Sequence, residues 1–429
     1  MSFTKSARIA LSFVGLLVGA GFATGQEVIQ YFISFGSWGI WGAVLSGVVM
    51  AAAGAVIVQL GSYFLADEHN MVFRSVSYPV VAKLLDLSVT ITLFSIGFVM
   101  FAGAGSSLGQ HFGMPTWIGS VIMLILVMVT GLLDVDKVSN IISFVTPLII
   151  LAVVFAFVYT MLHLPSDASS LNELASSQES SVAPWWLSAL NYNGLALILG
   201  VSMCLVIGGS NTDPREAGWG GLAGGILYTI LLLMAAITLY LNIEQIAGSP
   251  VPMLRLFENI NPVLAQIMVW IIFLMIYNTA IGMFYALGRR LSAGHRDRYR
   301  PIFLIGCLVG FGISFVGFQT LIAYVYPAIG YIGALMVFIL LGWWLLNRRE
   351  ISRESDRRQN LRSLLYLRDH PEREYSEAHR ARAERIAEES VVEAPAIASA
   401  IDLEVLRDLE EDQSVDSSRI HREKEQKRS

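Results

Sequence analysis

The sequence has little charge and almost no cysteine. Charged residues make up 15% of the 429 positions, and the two cysteines, Cys204 and Cys307, both lie within apolar runs. Two such residues exclude a disulfide framework and a zinc-ligand spacing, so we expect buried free thiols. The first apolar run is too long, and too interrupted by Gly and Glu, for a signal peptide, and we expect it to remain in the protein.

Motifs that carry catalysis are also missing. The sequence contains no phosphate-binding loop, HExxH motif, nucleophile elbow or haem attachment site. A membrane enzyme usually places several titratable side chains at one depth, whereas Glu27 is the carboxylate that lies well inside an apolar run. Others fall near the ends of runs, beside basic residues: Asp86, Asp134 and Asp136. We therefore expect no enzyme activity, no catalytic residue, no metal site and no cofactor.

Long apolar runs dominate what is present. Runs of about 18 or more apolar residues, enough to cross ~30 Å of hydrocarbon, predict ten membrane helices and an all-α membrane protein. The predicted helices, numbered 1 to 10, span about 8–34, 39–64, 83–107, 116–133, 139–162, 188–209, 219–241, 262–287, 301–317 and 320–346. Residues 1–347 form this core. Residues 348–429 are charged and predict a tail that is partly helical or disordered.

The basic residues predict the orientation of the helices. With the N-terminus inside, thirteen Lys and Arg residues of the core and its flanks lie on the inner side, against Arg255 on the outer side. Basic loops stay in the cytoplasm, so we expect a multi-pass inner (plasma) membrane protein with both termini cytoplasmic.

Ten helices divide into two sets of five, at about 8–162 and 188–346. An odd number of helices in each set forces the second set to cross the membrane in the opposite sense, which gives the 5+5 inverted repeat typical of secondary transporters. Helix 6 is then the partner of helix 1. Both are expected to be discontinuous, helix 6 near Gly200 and Ser202.

Helix 1 carries three glycines and a carboxylate at its centre, in the stretch Val18 to Glu27. Glycine costs about 1 kcal/mol in a helix interior, and a charge inside a bilayer costs at least about 2.5 kcal/mol. An unwound segment would instead expose backbone groups that bind ions and substrates. The alternative is close helix packing, because Gly15/Gly19 and Gly21/Gly25 both fit GxxxG.

Three functional roles fit Glu27: proton carrier, counter-charge for an amine substrate, or part of a gate. The structural alternative is a pairing with another helix, or contact with outer water. Phe98, half-way along helix 3, is a candidate pocket residue. In helix 8, Asn278 and Thr279 either line a site or hydrogen-bond to a neighbouring helix.

Three motifs resemble the YkvI-like family of bacterial membrane proteins: Val18 to Glu27; Gly208-Gly209 with Trp219 to Gly225; and Tyr326 to Tyr331. That family resembles the amino acid/polyamine/organocation transporter superfamily, which has the LeuT-type fold. The resemblance implies a substrate site between unwound helices 1 and 6, flanked by helices 3 and 8, and a cation between helices 1 and 8. The candidate substrate residues are Gly19, Ala20, Gly21, Phe22, Thr24, Glu27, Phe98, Gly200 and Ser202. The candidate ion-binding residues are Gly19, Phe22, Asn278 and Thr279.

Together these features predict a secondary transporter that moves a small amino acid or amine by alternating access, as a symporter coupled to Na⁺ or H⁺. A substrate carboxylate would meet free amides near Gly21, and its amine would meet helix 6 carbonyls or Glu27. The expected partners are a small-molecule substrate, the lipid bilayer and a cytoplasmic partner of the tail; no nucleic acid is expected. The alternatives are a channel, and a signalling or scaffold protein that acts through its tail.

Overall fold

The computed structural model describes residues 3–132, 145–165, 170–293, 295–370 and 373–411, and within these ranges the chain is helical, without strands. The helices are α1 Phe3–Leu17, α2 Ala20–Thr24, α3 Gln26–Tyr31, α4 Ser37–Phe64, α5 His69–Val76, α6 Pro79–Phe112, α7 Thr116–Gly131, α8 Val145–Leu162, α9 Leu171–Ser176, α10 Trp185–Gly209, α11 Pro214–Leu241, α12 Ile243–Ile246, α13 Pro252–Ile260, α14 Pro262–Leu291, α15 Tyr299–Ser314, α16 Phe318–Asp369, α17 Glu377–Glu388 and α18 Ala394–Glu411.

The apolar helices account for all ten predicted runs. In the described part of the chain, seven helices are long and apolar enough to cross a membrane, and α7 and α15 are shorter apolar helices. The first run contains α1 to α3. Asp134, Asp136, Lys137 and the first residues of predicted helix 5 lie outside the described residues. The chain is an all-α, multi-pass membrane protein.

Helix 1 is broken at Gly19 and Gly25, as its glycines predicted, but the expected unwound backbone at Ala20, Gly21 and Phe22 is instead the short helix α2. The first segment, α1, ends at Leu17, and α2 begins after Gly19, which is in an extended conformation (φ −101°, ψ −173°). A second interruption follows at Gly25, whose left-handed conformation (φ 78°) separates α2 from α3. A residue with a Cβ is strained at such a φ, so this position favours glycine. The first membrane helix is therefore three short segments joined at two glycines.

The predicted second break, in helix 6, is wrong. Its counterpart α10 runs unbroken from Trp185 to Gly209, through Gly200 and Ser202. The physical reason is that a single glycine weakens a helix by only about 1 kcal/mol. The hydrogen-bond ladder continues, and Gly200 has a negative φ, like every described glycine of α10.

A capped start and a close crossing position α11. Asp213 accepts a hydrogen bond from the Arg215 amide (2.9 Å) and Pro214 occupies the first turn, so the Asp-Pro pair starts α11. Glycines allow α11 to cross α4 closely, because a Cβ at Gly221 would overlap the Gly54 carbonyl. Both cysteines are buried and free, as expected.

The tail is more ordered in its described part than the sequence suggested. The predicted boundary at residue 347 falls inside α16, which continues unbroken to Asp369. Three leucines of α16 bury an apolar face against α17 and α18: Leu361, Leu364 and Leu365. Residues 371–372 and 412–429 lie outside the described residues. We call the end of the bundle where α16 enters the tail the tail end, and the other the opposite end.

Candidate functional site

A cavity of about 510 Å³ lies at the break in helix 1. Its walls come from the end of α1, from α2, and from the middle of α6, α10 and α14, with single side chains from other helices. A volume of this size suits a small molecule, since ligand pockets usually span about 300–1,000 Å³. The cavity is therefore the candidate functional site.

The cavity opens toward the tail end. Gly15 and Gly282 line it on that side of the break and are exposed, and Met203 is 52% exposed. A Cβ at Gly15, Gly19 or Gly282 would meet no atom within 4 Å. Gly15 and Gly19 consequently face open space, so GxxxG packing does not explain them.

The opposite end is sealed by buried contacts from α3. The Tyr31 hydroxyl donates to Asn191 Oδ1 (3.1 Å), and Asn191 Nδ2 donates to the Pro327 carbonyl (3.0 Å). The Ser188 hydroxyl donates to the Tyr31 carbonyl (2.7 Å). These bonds tie α3 to α10 and α16, while α13 packs against Gly25 through Met253. Among the described residues, these contacts close the cavity at the opposite end of the bundle.

Glu27 lies at the closed end of the cavity. It is 9% exposed, and its carboxyl accepts a hydrogen bond from the Tyr326 hydroxyl. The carboxyl lies directly against the backbone of Gly21, where a Cβ would overlap it. Among the described residues, no Lys, Arg or His nitrogen lies within 4 Å of this carboxyl. Glu27 is therefore a buried acidic group without a cationic partner in the described chain.

Aromatic residues surround this end of the cavity. The Tyr192 and Tyr228 hydroxyls are 2.5 Å apart, and both side chains are 1% exposed. The Phe22 and Tyr228 rings are 5.9 Å apart between centroids. These rings and hydroxyls, together with Tyr326, form a polar and aromatic wall facing Glu27.

A separate charged group lies at the open end. Arg290 and His69 line the cavity, and Arg290 forms an ion pair with Asp86. Its guanidinium also donates to the Asp86 carbonyl (3.0 Å). His69 Nε2 is 3.3 Å from Asp86 Oδ1, and His69 Nδ1 is 3.0 Å from the Ser202 hydroxyl. This group connects α5, α6, α10 and α14.

Most of the predicted site residues meet at the cavity. The following line it: Gly19, Ala20, Gly21, Phe22, Glu27, Gly200, Ser202, Asn278 and Thr279. Two predicted residues do not line it. The Thr24 hydroxyl is buried and donates to the Gly21 carbonyl (2.8 Å), and Phe98 packs against Phe94 at 5.4 Å between ring centroids. Their side chains were assigned by position in the sequence, but the helix rotation turns them away from the cavity.

The contact between Tyr192 and Tyr228 on the cavity wall was not predicted from the sequence. Tyr192 and Tyr228 lie within apolar runs of different predicted helices, and a buried tyrosine hydroxyl needs a hydrogen-bond partner. A tyrosine inside an apolar run therefore indicates a hydrogen-bond partner on a neighbouring helix, and this signal is present in the sequence. Their pairing, however, depends on how α10 and α11 pack, as does the approach of His69 and Arg290.

The four candidate ion-binding residues line the cavity, and α14, which carries two of them, packs on α2. The Gly19 carbonyl accepts from the Ala23 amide (3.1 Å) and the Phe22 carbonyl from the Gly25 amide (3.2 Å). The Thr279 hydroxyl donates to the Met275 carbonyl (3.0 Å). Each oxygen keeps a second lone pair for a cation.

Two proteins of Bacillus subtilis (strain 168) are similar to this chain. The uncharacterized membrane protein YkvI is 24% identical over 341 residues, which cover 79% of this chain and 95% of YkvI. The uncharacterized protein YyaD is 25% identical over 340 residues, which cover 79% of this chain and 96% of YyaD. No protein-family model matches the chain.

Among solved structures, MhsT in complex with L-phenylalanine is similar in fold, with a TM-score of 0.58 and 15% identity over 94% of this chain and 98% of MhsT. The chain is thus similar in sequence to YkvI and YyaD, and it has a LeuT-type fold.

Proposed function

We propose that this protein is a secondary transporter that moves a small amino acid or amine across the bacterial inner membrane by alternating access. The observation that carries the proposal is a central cavity at a broken helix, open at the tail end and sealed at the opposite end. Such a cavity presents its site to one side at a time, as alternating access requires.

The chemistry of the cavity favours a small polar substrate with an apolar body. A buried carboxyl and tyrosine hydroxyls lie at its closed end, and leucine, isoleucine and methionine side chains line much of the rest. The complex of MhsT with L-phenylalanine supports a substrate of this size. A channel would need a continuous polar pore, and the hydrogen-bonded closure at Tyr31 opposes one.

The coupling ion in this proposal is Na⁺ or H⁺. Gly19, Phe22, Asn278 and Thr279 supply neutral oxygens of the kind that hold Na⁺, whereas Glu27 supplies a group that carries a proton. Among the described residues, no cluster of three or more His, Cys, Asp or Glu side chains resembles a transition-metal site.

Transport by proteoliposomes tests the proposal. Purified full-length protein is reconstituted, and uptake of labelled amino acids and amines is measured under an imposed Na⁺ gradient, an imposed H⁺ gradient, or neither. We expect concentrative uptake driven by one gradient. Uptake that depends on Na⁺ and falls at least tenfold in Thr279→Ala would identify the ion site, whereas uptake unaffected by either gradient would contradict coupled transport.

A signalling role through the tail is the second candidate. It is favoured by the direct contact of the tail with helix 1, because Lys5 pairs with Asp408 (3.2 Å) of α18. If the core transports by itself, Asp408→Asn should leave uptake by proteoliposomes largely intact. A protein that signals through this contact would instead show no uptake of any labelled compound.

A further inference from the structure

The glycines of helix 1 predicted that a substrate carboxylate would meet helix 1 near Gly21, but the protein places a carboxyl of its own there. The Glu27 side chain lies directly on Gly21 and is held by the Tyr326 hydroxyl. A second carboxylate at this position would meet Glu27 at close range. Like charges that share one buried site repel each other, so the site disfavours an anionic group on the substrate.

The surroundings of Glu27 suit a cation instead. The Phe22 and Tyr228 rings lie together on the cavity wall, and Tyr192 extends this wall through its hydroxyl contact with Tyr228 (2.5 Å). Aromatic faces attract ammonium groups, and more strongly where water is excluded. A buried carboxyl beside aromatic rings is therefore a complementary site for a protonated amine.

The positive groups of the cavity offer no site for a substrate carboxylate. Three lining residues are able to carry charge: Glu27, His69 and Arg290. Arg290 is already neutralised by its ion pair with Asp86 and also donates to the Asp86 carbonyl (3.0 Å). His69 is 3.3 Å from the same carboxylate. Asp86 thus pairs with both Arg290 and His69, whereas the Glu27 carboxyl has no cationic partner among the described residues.

We propose that the cavity binds a primary amine that lacks a carboxylate, with Glu27 as the fixed counter-charge of the ammonium group and Phe22, Tyr192 and Tyr228 as its aromatic wall. The proposal rests on the proposed transport function and narrows its substrate class from amino acids or amines to amines. Glu27 takes the place that the carboxylate of an amino acid would otherwise occupy.

Matched pairs of compounds test this inference, because each pair differs by one carboxylate. Binding to the purified full-length protein in nanodiscs is measured for 2-phenylethylamine against L-phenylalanine, isoamylamine against L-leucine, and putrescine against L-ornithine. The acid 3-phenylpropionate serves as the carboxylate-only probe. We expect at least one amine to bind at least tenfold more tightly than its amino acid, and 3-phenylpropionate not to bind.

Two variants assign that binding to Glu27. Glu27→Gln keeps the size of the side chain but removes its charge, and should weaken amine binding at least tenfold. Glu384→Gln is the matched control, because this glutamate is 64% exposed on α17 and pairs with Arg380 (3.1 Å), remote from the cavity. It should bind amines like the unmodified protein.

The results separate this inference from the transport function. Tighter binding of the amino acid in all three pairs, amine binding that survives Glu27→Gln, or no binding by any amine would overturn the inference. If amino acids are nevertheless accumulated by proteoliposomes, the transport function stands without it. Conversely, amine binding that depends on Glu27 but is not accompanied by uptake would support the amine site and contradict transport.

Discussion

Two buried glutamates, Glu27 in the core and Glu354 at the start of the tail, have opposite surroundings. Glu354 is 1% exposed, and Arg358 donates to it at 2.8 Å from the next turn of α16. The Ser390 hydroxyl donates to the same carboxylate at 2.5 Å. Glu27 is also buried, but its partner is the Tyr326 hydroxyl, and it faces a cavity.

Arg358, the partner of Glu354, is itself buried and hydrogen-bonded to the core. Its guanidinium is 2% exposed and donates to the carbonyls of Ser62 (2.8 Å), Tyr63 (2.7 Å) and Thr212 (3.1 Å). It therefore joins the tail to the ends of α4 and α10. A buried carboxylate with an internal cation serves structure, because its charge is satisfied within the fold. A buried carboxyl without one is suited to bind a cation from outside.

The largest expected effect follows from breaking the structural pair. Arg358→Ala removes the closest cation of the buried Glu354, which keeps Arg357 at 3.5 Å, and it also removes a donor to three carbonyls. This should lower the free energy of unfolding of the docked tail by about 3 kcal/mol. Limited proteolysis of residues 350–411 measures it. Arg353→Ala is the control, because Arg353 is 66% exposed and pairs with Glu350; such surface pairs contribute about 0–1 kcal/mol. Equal protease resistance of the two variants would contradict a structural role for Arg358.

The second prediction concerns stability at Glu27. Glu27→Gln removes a carboxyl that has no cationic partner in the described chain, while the amide oxygen still accepts the Tyr326 hydrogen bond. The free energy of unfolding should stay unchanged or rise by about 1 kcal/mol. Thermal unfolding without ligand measures this. A fall of about 3 kcal/mol would show that Glu27 is a structural residue like Glu354.

The third prediction displaces the Glu27 carboxyl without changing its charge. A Cβ at Gly21 would overlap this carboxyl, and the flexible glutamate side chain must move away. Gly21→Ala should therefore weaken amine binding about tenfold, which corresponds to about 1.4 kcal/mol. Gly312→Ala is the control, because its Cβ would meet no atom within 4 Å. Unchanged binding in Gly21→Ala would show that the position of the carboxyl is not important.

The fourth prediction, also a small effect, tests the continuous helix 6. A Cβ at Gly200 would lie 3.5 Å from Leu17 and 3.6 Å from Cys204, at ordinary contact distance. Gly200→Ala should therefore raise the free energy of unfolding by about 0.5–1 kcal/mol, as expected within a regular helix. Gly194→Ala in the same helix should lower it, because its Cβ would overlap the Gly330 carbonyl. Destabilisation by Gly200→Ala would indicate a break in the helix.

Much of the fold was predictable from the sequence. Long apolar runs fix the number and approximate bounds of the membrane helices, because each helix satisfies its own backbone hydrogen bonds in lipid. The broken helix 1 was also predictable, since several glycines and Glu27 occur together near its centre. The inverted repeat also predicted a break in helix 6, and this prediction was wrong. Gly200 and Ser202 alone do not disrupt the hydrogen-bond ladder of α10.

The site was predictable only where its residues are neighbours in sequence. Gly19 to Phe22 and Glu27 belong to one stretch, and all of them line the cavity. The Tyr192 and Tyr228 pair, and the ion pair of Arg290 with Asp86, join residues from different helices. Their meeting depends on helix rotation and crossing, which the apolar composition of the runs does not specify.

The sequence by itself determined that this chain crosses the membrane repeatedly, and that a carboxyl lies beside the glycines that interrupt the first helix. The pairing of Glu354 with Arg358 is local to one helix, whereas only the tertiary structure decided that Glu27 has no cationic partner among the described residues. The physical reason is distance. Arg358 is one helical turn from Glu354, so α16 itself pairs them, whereas the surroundings of Glu27 come from helices that are remote in sequence and meet only in the folded bundle.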